Sequence, residues 1–172
     1  MSTTLVLGGT PLSARRHAVS LLPAQTAVTV IVPQDLPVTG DPDGWQRVQT
    51  VDLTRTILRG RSSVLVDSLE TWAIALLDKH DAWSGDGPGA LAVREEIAEF
   101  CAIWANAPYD SVALSREVSF GAAPEDDRAL RLRDVLEELN AVVSGASTRT
   151  HLVLSGRVVD LSQATLVAPA PN

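Results

Sequence analysis

The chain has 172 residues, enough for one domain with a sizeable core. Its 45% hydrophobic and 20% charged content is that of a globular protein, and its net charge of −7 argues against general nucleic-acid binding. The single cysteine, Cys101, excludes an internal disulfide, and apolar runs such as 27–32 are far too short to span a bilayer.

The opening Met-Ser-Thr-Thr carries no basic residue and leads straight into apolar sequence. No signal peptide and a cytoplasmic location are therefore expected. A first strand is expected at 3–7, then a helix over 12–22 with Ala14, Ala18, Val19 and Leu22 on one face, ended by Pro23. The β-branched run 27–32 reads as a strand covered on both faces. Residues 33–44 are rich in Pro, Asp and Gly and read as a mobile loop, with a short strand at 47–51. Residues 63–66 form the next strand. The helix over 68–79 carries an apolar stripe of Leu69, Trp72, Ala73, Leu76 and Leu77. A Gly- and Pro-rich break at 84–89 precedes a helix over 91–104, with Ile97, Phe100, Cys101 and Trp104 on one face. A strand at 110–115, a loop at 116–126 and a helix over 128–143 closed by Gly145 follow. A terminal strand pair is expected around Gly156, at 150–155 and 158–161. Residues 1–163 thus form one α/β domain, a mostly parallel sheet with helices on both faces and an antiparallel C-terminal strand pair. Residues 164–172 form a frayed tail.

Ligands on such a sheet bind beyond the carboxyl ends of the strands. Three stretches fall there. Gly8-Gly9 opens the first helix, where backbone N–H groups approach an anion, or it is a plain turn. A phosphate-binding loop reads Gly-x-x-x-x-Gly-Lys-Ser/Thr. Counted from Gly8, its last three places are Ser13, Ala14 and Arg15, so the frame is present without its lysine and hydroxyl. Asp67 follows a strand, as a Mg²⁺-binding carboxylate does. Equally, Asp67 caps the next helix with Glu70 reaching back. Glu117 lies past the next strand and either accepts a proton or is a solvated loop charge. Arg128, Arg131 and Arg133 begin the following helix and either clamp a phosphate or form a solvated face.

In order, the chain shows Gly-Gly before a helix, Val-Leu-Val-Asp67-Ser-Leu-x-x-Trp72, Ser115-x-Glu117-Val118 with Gly121-x-x-Pro124, Arg131-x-Arg133-Asp134 with Leu139-Asn140, and a closing Ser155-Gly156. This order and spacing resembles the bifunctional adenosylcobinamide kinase / adenosylcobinamide-phosphate guanylyltransferase family of cobalamin biosynthesis. The resemblance implies a phosphate-loop NTPase-like fold, GTP or ATP with Mg²⁺, an adenosylcobinamide-type corrinoid as partner substrate, and a homotrimer. It implies Asp67 as metal ligand and, with Glu117, catalytic residue. It implies Gly8, Gly9, Thr10, Ser13, Ala14, Arg15, Arg131 and Arg133 as the nucleotide or phosphate site. The family's loop reads Gly-Gly-x-Arg-Ser-Gly-Lys-Ser, so Ala14 stands in place of its lysine and Arg15 in place of its Mg²⁺-binding serine. The family's guanylylated histidine would fall between Val32 and Trp45, where there is none; the three histidines are His17, His80 and His151. The expectation is a divergent member, weakened or inactive in phosphoryl and guanylyl transfer. The alternative is a non-catalytic nucleotide- or corrinoid-binding relative that assembles with an active paralogue.

Overall fold

The computed structural model describes every residue except Thr10, 24–26, 35–40, 86 and 168–172. A seven-stranded sheet runs through the chain in the order β3-β2-β4-β5-β1-β6-β7. Its strands are β1 (Thr3–Gly8), β2 (Val28–Val32), β3 (Gln46–Gln49), β4 (Ser63–Val66), β5 (Ser111–Arg116), β6 (Arg149–Leu154) and β7 (Arg157–Asp160). All neighbours are parallel except β6 and β7, which pair antiparallel around Ser155-Gly156. Gly156 has φ +72, a left-handed conformation that glycine adopts without strain.

The helices are α1 (Pro11–Ser20), α2 (Leu53–Arg59), α3 (Leu69–Lys79), α4 (Pro88–Trp104) and α5 (Asp127–Ala146). Alternating side chains of the buried strands feed two cores. On one face Val6, Val30, Leu65 and Leu114 pack under Ala14 and Ala18 of α1. On the other, Leu5, Ile31, Val66 and Ala113 pack under α2, α3, α4 and α5. The larger core is built on three rings: Trp72 against Phe100 (5.0 Å between centroids) and Phe100 against Trp104 (5.6 Å). Both buried indoles keep a partner, Trp72 Nε1 donating to the Val51 carbonyl (2.9 Å) and Trp104 Nε1 to Ser147 Oγ (2.8 Å). Cys101 packs against this core, and burial pushes its thiol up to about 11.

α2 was not expected from the sequence: only Leu53 and Ile57 of its seven residues are buried, too few to give a stripe, while Asp52 caps it by accepting from the Arg55 amide (3.0 Å). Two sequence expectations need correction. Gly145 does not close α5. The helix continues to Ala146 because Ser147, held by Trp104 and donating to the Val143 carbonyl (2.7 Å), fixes its last turn. Asp67 does not cap α3. Ser68 does: the Thr71 amide donates to Ser68 Oγ and the Ser68 amide to Thr71 Oγ1, both at 3.4 Å. Half of the mobile-loop expectation at 33–44, residues 35–40, lies outside the described residues.

α1 is tied to β6 by a histidine pair, His17 Nε2 and His151 Nδ1 lying 2.9 Å apart. One ring must donate and the other accept, so at least one stays neutral. Burial, then the neighbouring His151, lowers the His17 pKa below its usual value. The unfolded chain therefore binds the proton more readily than the fold does. Stability is expected to be level above neutrality, to fall as pH drops through the ordinary histidine range near 6.5, and to level again below the lowered folded pKa. Urea midpoints between pH 7.5 and 5 check this. A His17→Gln variant with an equally steep acid limb would refute it.

Candidate functional site

β1 and β5 are neighbours, yet the helices that follow them leave on opposite faces, α1 on one and α5 on the other. The crevice beyond their carboxyl ends is the switch point of the sheet, where ligands of open α/β folds bind. Gly8 lies level with Arg116 there, and the Glu117 amide donates to the Gly8 carbonyl (3.3 Å). One strand over, the Asp67 amide donates to the Ile31 carbonyl (2.8 Å), which carries Asp67 beyond the end of β4. The Asp67–Ser68 peptide bond is cis.

Gly8 is glycine because of Ala14. A Cβ on Gly8 would stand 2.6 Å from Ala14 Cβ, closer than packing permits. Ala14 is itself 3% exposed, so its side chain serves as packing between α1 and β1. Nothing stands within 4 Å of a Cβ at Gly9, which leaves its backbone open. Thr10 lies outside the described residues, and Ser13 is half-buried.

Arg15 turns toward the strand ends. Its Nε donates to Asp67 Oδ2 (2.8 Å), and its Nη2 donates to Asp41 Oδ1. Asp41 Oδ2 in turn accepts from Arg47 Nη2 (2.7 Å). The result is a chain of alternating charge, Asp67–Arg15–Asp41–Arg47, joining α1, the end of β4 and β3. Side-chain exposure is 12% for Arg15 and 13% for Asp67. Burial alone would lower the Arg15 pKa; hydrogen bonds and charge from Asp67 and Asp41 outweigh it and raise it. Asp41 follows the mirrored logic. Burial raises its pKa, and the two guanidinium groups outweigh that and hold it below the usual carboxylate value. Asp41 and Arg47 were absent from the sequence-level site, because Asp41 lies in a stretch with no periodicity and its partners are distant in the chain.

The donor set does not suit Mg²⁺ in this arrangement. A guanidinium occupies the Asp67 carboxylate oxygen. Among the described residues no cluster of three or more His, Cys, Asp or Glu side chains is arranged to hold a metal ion.

The remaining predicted residues divide. Glu117 Oε1 accepts from the Ser119 amide (2.8 Å) and from Ser119 Oγ, closing a turn past β5. Glu70 pairs with Arg116 (2.7 Å) instead of reaching back to its own helix start. Arg128 stacks on Trp83 (3.9 Å) and donates to Asp78 (2.9 Å), and Arg131 Nε donates to the Ala82 carbonyl (3.2 Å). Both are held against the segment after α3, so Arg131 is not brought to the loop. Arg133 instead lines a pocket of about 290 Å³ together with Glu117.

A family model described as "Cobinamide kinase / cobinamide phosphate guanyltransferase" matches residues 40–161, well over half of the chain. The chain belongs to this family. The match spans Asp67, Ser115–Val118 and Arg131–Asn140, the motifs that border the crevice. It begins after the Gly8–Arg15 loop. The seven-stranded, mostly parallel sheet fits the family's phosphate-loop NTPase-like domain. Kinase and guanyltransferase chemistry, as the family is described, uses a nucleotide and a cobinamide. No curated protein matches the chain. Among the described residues no helix is long and apolar enough to cross a membrane.

Proposed function

We propose that this chain is a divergent cobinamide kinase / cobinamide phosphate guanyltransferase relative in which nucleotide-dependent phosphoryl and guanylyl transfer is weakened or lost. The observation that carries the reading is Arg15, clasped between Asp67 and Asp41. Phosphoryl transfer depends on positioning and on charge stabilisation by the loop lysine and a metal. Here the lysine's place is a buried alanine, and the guanidinium already neutralises the carboxylate that would serve the metal. Loss of one such stabilising donor costs roughly a hundred- to thousandfold in rate, and two places are affected. Guanylyl transfer lacks a carrier as well. His17 is engaged with His151, and His80 with Glu96 (2.7 Å), both away from the strand ends.

What the chain retains is a crevice with pockets beside Glu117, which favours a second reading. A non-catalytic relative would bind a nucleotide or an adenosylcobinamide-type corrinoid there and assemble with an active paralogue, or with itself as a trimer. A coupled assay for ADP or GDP release with adenosylcobinamide, Mg²⁺ and ATP or GTP tests the first reading. Turnover is expected to lie at least a hundredfold below the roughly 1–100 s⁻¹ of working kinases. Turnover within that range would overturn it. A melting temperature raised by adenosylcobinamide in the absence of turnover would select the second reading.

A further inference from the structure

α1 and β6 meet at two facing imidazoles. His17 Nε2 and His151 Nδ1 lie 2.9 Å apart, with the ring planes tilted by 41° and the centroids 5.1 Å apart. The contact is made nitrogen to nitrogen, not ring face to ring face. β6 sets the direction of His151. Its register partner on β1 is Val6, which packs under Ala14 and Ala18 of α1, and partners on neighbouring strands share a face. His151 is only 9% exposed and His17 is half-buried, which leaves His17 as the side nearer solvent. The fold does not need this contact. A hydrogen bond between neutral groups adds little net stability, and two apolar side chains of the same shape would serve as well.

Paired imidazoles are the donors that borderline transition metals take. Two nitrogens on one tetrahedral Zn²⁺, at about 2.0–2.1 Å each, lie roughly 3.3 Å apart. The observed separation is within roughly 0.4 Å of that, a change that side-chain torsions absorb while α1 and β6 stay in place. Whichever ring carries its proton on the facing nitrogen takes the other tautomer, and both lone pairs then point at the ion. Two charges stand by. Asp160 on β7 is the direct partner of His151 across the antiparallel pair, so its carboxylate is on the same face. The Ser162 amide (2.9 Å) and Oγ hold that carboxylate, which lies within electrostatic reach of His151. Arg149, two residues before His151 on the same face of β6, also acts on Asp160. Among the described residues no third donor is arranged beside the two nitrogens, so water completes the shell of an ion held there.

We infer that His17 and His151 form a two-histidine site for a borderline divalent transition metal, Zn²⁺ above all, that staples α1 to β6. The site is separate from the Gly8–Arg15 loop and from the strand-end crevice. Asp160 offsets the charge of the ion, and Arg149 opposes it. The test is thermal unfolding and calorimetric titration of the full chain, untagged and cleared of metal by chelation, with ZnCl₂ up to about 100 µM at fixed ionic strength. The wild type should gain roughly 2–6 °C and bind one ion per chain, and MgCl₂ at the same concentration should give no gain. His17→Gln should lose the gain, whereas His80→Gln should keep it. Asp160→Asn should weaken binding by roughly tenfold, and Arg149→Gln should strengthen it. A merely structural hydrogen bond between the rings would produce neither effect. NMR of the wild type needs no variant to fold: Zn²⁺ should shift the ring signals of His17 and His151 and leave those of His80 in place. No saturable gain, binding retained in His17→Gln, or ring shifts confined to His80 would each overturn the site.

Discussion

Arg15→Ser is expected to lower stability by about 2–3 kcal/mol and to create a response to Mg²⁺ that the wild type lacks. The first effect follows from what the guanidinium leaves behind. Asp67 loses its donor at 2.8 Å, and Asp41 keeps only Arg47. Breaking a buried ion pair by removing one partner costs roughly 3–5 kcal/mol, and the partial exposure of Asp41 and the entry of water reduce that figure. For a chain of this size the loss corresponds to a fall in melting temperature of roughly 5–10 °C. The second effect follows from the same two carboxylates, now without the guanidinium that bridges them though Asp41 stays on Arg47, which carry hard oxygen atoms of the kind Mg²⁺ and Mn²⁺ favour. Millimolar MgCl₂ should raise the melting temperature of the variant and not of the wild type, against NaCl of equal ionic strength. Acid sensitivity changes with it. The contribution of Asp41 is present above the ordinary carboxylate pKa and is lost as pH falls through its lowered folded value. The variant's acid limb should therefore be shallower. A stability within 0.5 kcal/mol of wild type, or equal Mg²⁺ responses in both proteins, would refute the clasp as described.

The strand ends were legible because composition there is stereotyped. Short apolar runs that lead into Gly8, Asp67 and Arg116 place these residues at or just beyond the ends of parallel strands whatever the helices do. The register then brings Gly8 beside Arg116 and Glu117, as the order of motifs implied. What the sequence could not supply was direction. Arg131 and Arg133 are two residues apart on one helix, and a rotation of roughly 200° between them sends one to the Ala82 carbonyl and the other into the pocket. Nothing local distinguishes them until α3 and its following segment are placed. Asp67 was ambiguous for a related reason. Asp and Ser both cap helices, and only the backbone decides that Ser68 is the cap and Asp67 the free carboxylate that Arg15 takes up. The role of Asp41 was invisible, since a lone aspartate in a Pro-rich stretch gains meaning only from partners far along the chain.

A lysine placed at Ala14, the position that the resemblance aligns with the family's loop lysine, is expected to damage the protein. Ala14 is 3% exposed and packs in the core formed with Val6 and Ala18, with its Cβ directly over Gly8. A lysine there must place four carbons and an ammonium where one methyl now fits. The Asp67 and Asp41 carboxylates are already taken by Arg15, so neither is free to pair with the new charge. Ala14→Lys should therefore cost at least about 3 kcal/mol, in the range that marks buried unpaired charge, and yield no nucleotide-dependent turnover. The double variant Ala14→Lys, Arg15→Ser behaves differently. With Arg15 gone, the ammonium no longer faces a guanidinium and Asp67 has lost its donor, while Asp41 stays on Arg47. The double variant should be more stable than the sum of the single effects predicts, by about 1–2 kcal/mol of coupling. A double-mutant cycle by urea unfolding measures this. Strict additivity, or an Ala14→Lys cost below 1 kcal/mol, would mean that Ala14 and Arg15 changed independently. Favourable coupling would mean that the two replacements form one substitution, in which an internal guanidinium took over the charge balance that lysine and metal supply in the family loop.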